Sequence, residues 1–242
     1  MQKKAPHKTI LLKISGEALS GDANSKSVFN DEVILKIVHS IKELHELGIR
    51  VGIVIGGGNI VRGSQAQELG FSRVSADFMG MLATTINGLF LHQALLKAQC
   101  SARIMSAIDT PSIIEKYHWE KALAYLEEGC VLIFVGGIGH PYFTTDTAAA
   151  LRASEIGASL LVKATKVGGI YEKDPIKCPH VTKFERLTYS EVLQKDLHVM
   201  DLTAIPLCRE NHIPIYVVNL LEEGALLSAV CHGKGGSLVT GE

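Results

Sequence analysis

Short apolar blocks alternate with longer amphipathic stretches along all 242 residues. Thr9–Ile14, Val51–Ile55, Ala102–Ser106, Val131–Val135, Ser159–Lys163 and Pro214–Val218 are rich in β-branched residues and read as buried strands. Ser237–Thr240 reads as a last, edge strand. Between them the period lengthens. Ile34, Ile37, Val38, Ile41 and Leu44 recur at helical spacing behind Asn30 or Asp31 as N-cap, and Gly48 stops that helix. Further helices are predicted over Arg73–Leu96, Trp119–Leu126, Thr144 to Ile156, Ser190–Lys195, Leu202–Asn211 (bent at Pro206) and Gly224–His232. Ser20–Ser27 and Tyr171–Arg186 read as loops, the second broken by Asp174-Pro175 and Cys178-Pro179. No repeat, linker or low-complexity run divides residues 1–242, so a single domain is expected. Strands alternating with helices predict an α/β fold, a three-layer sandwich with a mainly parallel central sheet covered on both faces.

Ligands of such sheets bind beyond the carboxyl ends of the strands. Glycine turns fall at that end: Gly56-Gly57-Gly58, Gly136-Gly137-Ile138-Gly139, and Gly168-Gly169. Glycine lets backbone approach a ligand, and free N–H groups at such a turn form an anion-binding concavity. Two strands also carry a lysine at this end, Lys13 and Lys163, where a buried strand has little use for a cation. Arg62 and Lys166 add positive charge nearby, and Asp146 opens a helix that faces the same edge. Dispersed cations, backbone cradles and little covalent machinery are the parts phosphoryl transfer needs. Each residue taken singly has a plainer reading. Lys13 and Lys163 could be edge lysines, Arg62 a solvated arginine, Asp146 only an N-cap, and Asp77 a helix-start acid.

Composition narrows the field. The chain is 47% hydrophobic and 20% charged with a formal net charge of −1, so bulk charge draws it to neither nucleic acid nor an anionic membrane. Five widely spaced cysteines without a Cys-x-x-Cys disfavour disulfides and zinc and fit a reducing, cytoplasmic setting. The basic start, residues 1–8, reads as a flexible lead-in without a signal-peptide core. Phe78–Leu96 has no formal charge, but Thr84, Thr85, Asn87, His92 and Gln93 make it too polar for lipid. A helix buried in the fold or at a subunit interface is expected instead. The P-loop, dinucleotide, nucleophile-elbow and zinc-protease signatures are absent.

Five segments carry a family likeness. They are Lys13-Ile14-Ser15-Gly16-Glu17-Ala18-Leu19, Gly56-Gly57-Gly58-Asn59 with Arg62-Gly63, Asp77-Phe78-Met79-Gly80-Met81-Leu82-Ala83-Thr84, Phe143-Thr144-Thr145-Asp146, and Lys163-Ala164-Thr165-Lys166-Val167. Together with Val199-Met200-Asp201-Leu202-Thr203-Ala204 they resemble, in order and over nearly the whole chain, the amino acid kinase family and within it the bacterial UMP kinases. The resemblance implies the amino acid kinase fold and transfer of the γ-phosphoryl of ATP to UMP, a step of pyrimidine nucleotide synthesis. Lys13, Ile14, Ser15 and Gly16 would lie along the ATP phosphates, with Gly58 and Arg62 also meeting them. Thr165, Tyr171 and Asp174 would contact the adenine nucleotide. Gly57, Asp77 and the turn Ile138, Gly139, His140, Pro141, Tyr142, Phe143, Thr144 and Thr145 would surround UMP, Asp77 at the ribose. Lys13 and Arg62 would act in catalysis, and Asp146 would orient Lys13 rather than serve as a base. Magnesium would arrive with ATP, no metal being held by the protein alone. The family assembles as hexamers built from dimers, and UTP would act as an inhibitor.

Three departures stand out against that pattern. Ile138 and His140 replace a threonine and an asparagine usual in the UMP-side turn, and His140 brings a group that ordinarily titrates near neutrality. Gly168 replaces an aspartate, and Gly21 to Phe29 lacks the glycine-rich pattern linked to GTP activation. Two other functions remain open from sequence: phosphorylation of a small carboxylate or carbamate on the same fold, and a non-catalytic nucleotide-binding module. The triglycine itself invites one further expectation, that a side chain at Gly57 or Gly58 would block the phosphoryl path and damage catalysis more than folding.

Overall fold

In the computed structural model, residues 7–20, 27–63, 68–173, 175, 178 and 180–241 are described. Nine strands form one sheet: β1 (Thr9–Ile14), β2 (Arg50–Ile55), β3 (Ala102–Ser106), β4 (Glu115–Lys116), β5 (Val131–Val135), β6 (Leu160–Thr165), β9 (Arg186–Thr188), β10 (Ile215–Asn219) and β11 (Ser237–Thr240). Their order across the sheet is β4-β3-β5-β2-β1-β6-β10-β11-β9. All neighbouring pairs run parallel except β10 with β11. Two further short strands, β7 (Ile170–Tyr171) and β8 (Lys183–Phe184), pair antiparallel with each other.

Eight helices are described: α1 (Gly16–Leu19), α2 (Asp31–Glu46), α3 (Arg73–Lys97), α4 (Trp119–Glu127), α5 (Thr145–Glu155), α6 (Tyr189–Gln194), α7 (Ala204–Glu210) and α8 (Ala225–His232). Side chains alternate across the strands, so the sheet carries two cores. Ile10, Leu12 and Ile14 of β1 pack with Ile37 and Ile41 of α2, Leu91 and Leu95 of α3, and Val230 of α8. Leu11 points the other way, into a core shared with Ala122 of α4, the alanines of α5, Val192 of α6 and Cys208 of α7. The sandwich is therefore α/β/α, as the alternation of elements predicts.

Alanine lets α5 lie close on the sheet: Ala148, Ala149, Ala150 and Ala153 are all fully buried. Gly52 in mid-strand serves the same layer. A Cβ there would meet Ile156 Cδ1 at 2.8 Å and Phe134 Cε2 at 3.2 Å.

Three sequence expectations need correction. Ser237–Thr240 is not at the edge: three-residue β9, within a stretch read partly as loop, covers its outer side. The same stretch holds the β7–β8 pair. Pro206 falls in the first turn of α7 rather than at a bend, and there its missing N–H has no intrahelical acceptor to lose.

Candidate active site

Lys13 and Lys163 face each other across the β1–β6 pair, at the same rung of a parallel ladder. The alternation that sends Leu11 into the α5 core sends Lys13 to the same side. Both ammonium groups meet one carboxylate. Lys13 Nζ is 2.8 Å from Asp146 Oδ1, and Lys163 Nζ donates to Asp146 Oδ2 at 2.8 Å and to the Val199 carbonyl at 2.5 Å. Asp146 stands in the first turn of α5, but Thr144 is the N-cap, its hydroxyl accepting from Asp146 N at 3.0 Å. The N-cap reading of Asp146 is thereby excluded.

All three groups are nearly out of water, with side-chain exposures of 9% for Lys13, 11% for Asp146 and 16% for Lys163. Burial pushes the Asp146 carboxyl up, but the charges of Lys13 and Lys163 outweigh it and hold the group below its ordinary range. Burial pulls Lys163 down, and the Lys13 charge adds to that against the opposing pull of Asp146. Two ammonium groups against one carboxylate leave a buried excess of positive charge, organised before any ligand arrives.

The glycine turns after β2 and β5 lie at the same sheet edge, on the β2 side of the triad, and α3 holds both. Asn87, fully buried, donates to the Gly56 carbonyl and to Asn59 Oδ1, each at 2.7 Å. Thr84 accepts the Gly136 N–H at 2.8 Å. Gly16 fits against the triglycine so closely that a Cβ would come within 2.6 Å of Gly58 N. At Gly57 an added Cβ would meet Ala83 Cβ and the Gly80 carbonyl at 2.8 Å and Thr84 N at 3.1 Å. What Gly57 makes room for is the backbone of α3, so a side chain there would burden folding as well as the expected phosphoryl path. At Gly58 the nearest obstacle to a Cβ is the Glu17 side chain, whose carboxylate would lie at 2.9 Å.

Two clefts open beside the triad. One, about 430 Å³, is lined by Lys163, Thr165, Tyr171, Lys195 and Val199. The other, about 410 Å³, is lined by Tyr142, Thr144, Met200, Asp201 and Thr203. Thr165 and Tyr171 thus share a cleft with Lys163, while Asp174 lies outside the described residues. Ile14 is buried in the α2-side core, which leaves its backbone alone for a ligand. Ser15 precedes α1 without capping it by its side chain. Arg62 stays on the rim, its guanidinium 3.6 Å from Glu17 and 3.4 Å from the Gly58 carbonyl.

On the opposite side, Gly136, Gly137 and Gly139 all have positive φ, at +77°, +60° and +85°. Ile138 is half-buried against the α5-side core, while His140, Tyr142 and Phe143 are exposed. Tyr142 takes a left-handed φ of +72°, and its N–H donates to Asp77 Oδ2 at 2.7 Å. Asp77 is not the cap of α3 either. Ser72 is.

The model of the amino acid kinase family matches residues 8–219. The chain belongs to the amino acid kinase family. It is 56% identical over 213 residues to a uridylate kinase of Protochlamydia amoebophila, covering 88% of this chain and 84% of that one. It is 47% identical over 237 residues to a uridylate kinase of Colwellia psychrerythraea, covering 98% and 95%. The crystal structure of UMP kinase from Bacillus anthracis superposes with a TM-score of 0.92 at 36% identity, covering 97% of this chain and 96% of that one.

Within this amino acid kinase, two features of the site lay beyond the sequence reading. Lys163 stood out as a strand-end cation, but nothing in one dimension showed that it shares Asp146 with Lys13. Asp201, within a quoted segment but without a role, gathers the loop before α7. Its Oδ2 accepts from the hydroxyls of Thr144 and Thr147, and its Oδ1 from the hydroxyl and N–H of Thr203 and the N–H of Ala204. Burial raises its pKa, but these donors outweigh that and keep it depressed. An Asp-x-Thr before a helix was the available signal.

Proposed function

We propose that this amino acid kinase is a UMP kinase, transferring the γ-phosphoryl of ATP to UMP to give UDP and ADP in pyrimidine nucleotide synthesis. The observation that carries the reading is the buried Lys13–Asp146–Lys163 triad on β1, β6 and α5, at the sheet edge that also carries the glycine turns after β2 and β5, in a chain so similar to uridylate kinases. ATP belongs on the Thr165–Tyr171 side with its phosphates toward Lys13, Gly16, Gly58 and Arg62. UMP belongs on the Asp77 and 138–145 side, beside Gly57.

Two phosphates carrying several negative charges must be brought together, and the ammonium groups of Lys13 and Lys163 offset that repulsion. In a site this dry their field is poorly screened, and it favours the spread charge of the transition state. Asp146 sets the positions of both lysines. It is a poor base, because its two oxygens face ammonium groups whose charges hold its pKa below the ordinary range. The acceptor needs none, since a phosphate monoester is largely dianionic at neutral pH. Lys163, positioned symmetrically with Lys13, shares the charge-stabilising role.

A divalent ion enters with ATP, and magnesium is the one we assign. Among the described residues, Asp146 is taken up by the two lysines and Asp201 by three threonines and Ala204 N. Among the described residues no cluster of three His, Cys, Asp or Glu side chains stands ready for a metal. The donor set therefore fits an ion held by phosphate oxygens and water better than one caged by protein. Bound there, it would neutralise phosphate charge.

The α3 helix supports a reading of how the chain assembles. It is long and apolar enough to span a membrane by length and composition. Yet one side holds the glycine turns, and Phe78, Leu82, Ile86 and Phe90 line the other at i, i+4 spacing, 38–52% exposed. That stripe suits a second copy in a cytoplasmic homo-oligomer, a hexamer built from dimers, with UTP as an inhibitor. The GTP-linked loop lies largely outside the described residues.

The deciding experiment is ATP-dependent ADP release over a panel of UMP, CMP, acetylglutamate and aspartate. UMP is expected to dominate. Turnover with acetylglutamate or aspartate instead would overturn the acceptor, and nucleotide binding without turnover would make the chain a binding module.

A further inference from the structure

Asp77 lies one turn into α3 with a side chain 16% exposed, and three contacts fix its carboxylate. Arg73 Nε donates to both oxygens, at 2.9 Å to Oδ1 and 2.8 Å to Oδ2. The Tyr142 N–H donates to Oδ2. The Arg73 guanidinium carbon also sits 5.7 Å from the centroid of the Tyr142 ring, a cation–π distance. Arg73, Asp77 and Tyr142 thus tie the start of α3 to the turn after β5, and they hold Tyr142 in a left-handed conformation that a non-glycine residue seldom adopts unaided.

The bookkeeping of lone pairs says what is left over. An ionised carboxylate accepts about four hydrogen bonds. Among the described residues Oδ2 has two donors and Oδ1 has one, and Gly63, beside Oδ1, brings no side chain: a Cβ there would stand 3.9 Å away. Among the described residues this leaves one acceptor position on Oδ1, oriented by Arg73.

We propose that Arg73 is a positioning residue for recognition of the acceptor's ribose: it holds Asp77 so that Oδ1 takes a ribose hydroxyl and Oδ2 keeps the turn around the nucleotide closed. This rests on the reading that UMP lies against Asp77 and the 138–145 turn. Arg73 acts through Asp77 and does not touch the reacting phosphates. An ordinary i, i+4 pair at a helix start would contribute little to stability and nothing to substrate choice.

The test is steady-state kinetics on the assembled enzyme for Arg73→Gln, Arg73→Lys and Asp77→Asn, with UMP and its 2′-deoxy and 3′-deoxy analogues. For Arg73→Gln the KM for UMP should rise on the order of fivefold, the worth of one hydrogen bond. Its kcat and KM for ATP should stay put, and the preference for UMP over the discriminated deoxy analogue should shrink. Arg73→Lys, which keeps charge without the planar N–H, should fall between. If Asp77→Asn raises the KM for UMP and Arg73→Gln does not, Arg73 is a surface ion pair and the inference is wrong. If neither variant changes UMP use, the placement of UMP at Asp77 is wrong as well. A matched rise in the KM for UMP and ATP with a lowered Tm would also overturn it, as plain structural damage.

Discussion

Gly57 and Gly137 each stand two residues beyond a buried strand, at the same edge of the same sheet. A Cβ on Gly57 would collide with α3 at 2.8 Å, from both Ala83 and the Gly80 carbonyl. A Cβ on Gly137 would find nothing nearer than Met81 Cγ at 4.0 Å. The backbone tells the reverse story. Gly137 sits at φ +60° between Gly136 at +77° and Gly139 at +85°, whereas Gly57 is not in the left-handed region. One turn needs glycine for space, the other for its dihedral angles. Both turns hang from α3, by Asn87 and by Thr84.

Substitution separates the two causes. Gly57→Val should cost the most, on the order of 3 kcal/mol or more, because the obstacle is helix backbone that cannot swing aside. In a chain of this size the Tm should drop by roughly 6–12 °C. Thermal unfolding checks it, and a variant that melts normally but fails to turn over would favour the expectation that a side chain at Gly57 damages catalysis more than folding. Gly139→Ala combines a left-handed φ with a Cβ 3.0 Å from the Ala107 carbonyl, and about 2 kcal/mol is expected. Gly137→Ala has the strain without the crowding and should cost about 1 kcal/mol. Equal losses at Gly57 and Gly137 would erase the distinction.

This comparison also shows what one dimension encodes. A glycine after a strand announced that a Cβ is unwelcome there, but not whether the reason is a neighbour or a torsion. The six longer strands of the sheet and the amphipathic α2 were legible because burial imposes a period on contiguous residues. Two-residue β4 and three-residue β9 were not, since such short strands owe their existence to distant partners such as β11. At the site, Lys13, Asp146 and both turns announced themselves by chemistry out of place. The sharing of Asp146 by Lys163, and the grip of Asp77 on Tyr142, depend on residues brought together from afar.

A smaller effect, in pH, tests the other anchored carboxylate. Asp201 has a folded-state pKa below its unfolded value, so its contribution to stability is complete above the ordinary aspartate range and is lost as pH falls through the folded value. Denaturant titrations from neutrality downward should show Asp201→Asn less stable than the parent at neutral pH, with the gap narrowing below about pH 4. A gap that does not depend on pH would assign Asp201 a packing role alone.

The central claim is that paired buried lysines, fixed by Asp146, carry phosphoryl transfer to UMP. UMP-dependent ADP release by the parent enzyme and by Lys13→Ala, each at saturating ATP and UMP, tests it most directly. The account predicts brisk turnover in the parent and a fall on the order of 10²–10³-fold in a variant that still folds and binds nucleotide. A near-normal rate in Lys13→Ala would contradict it.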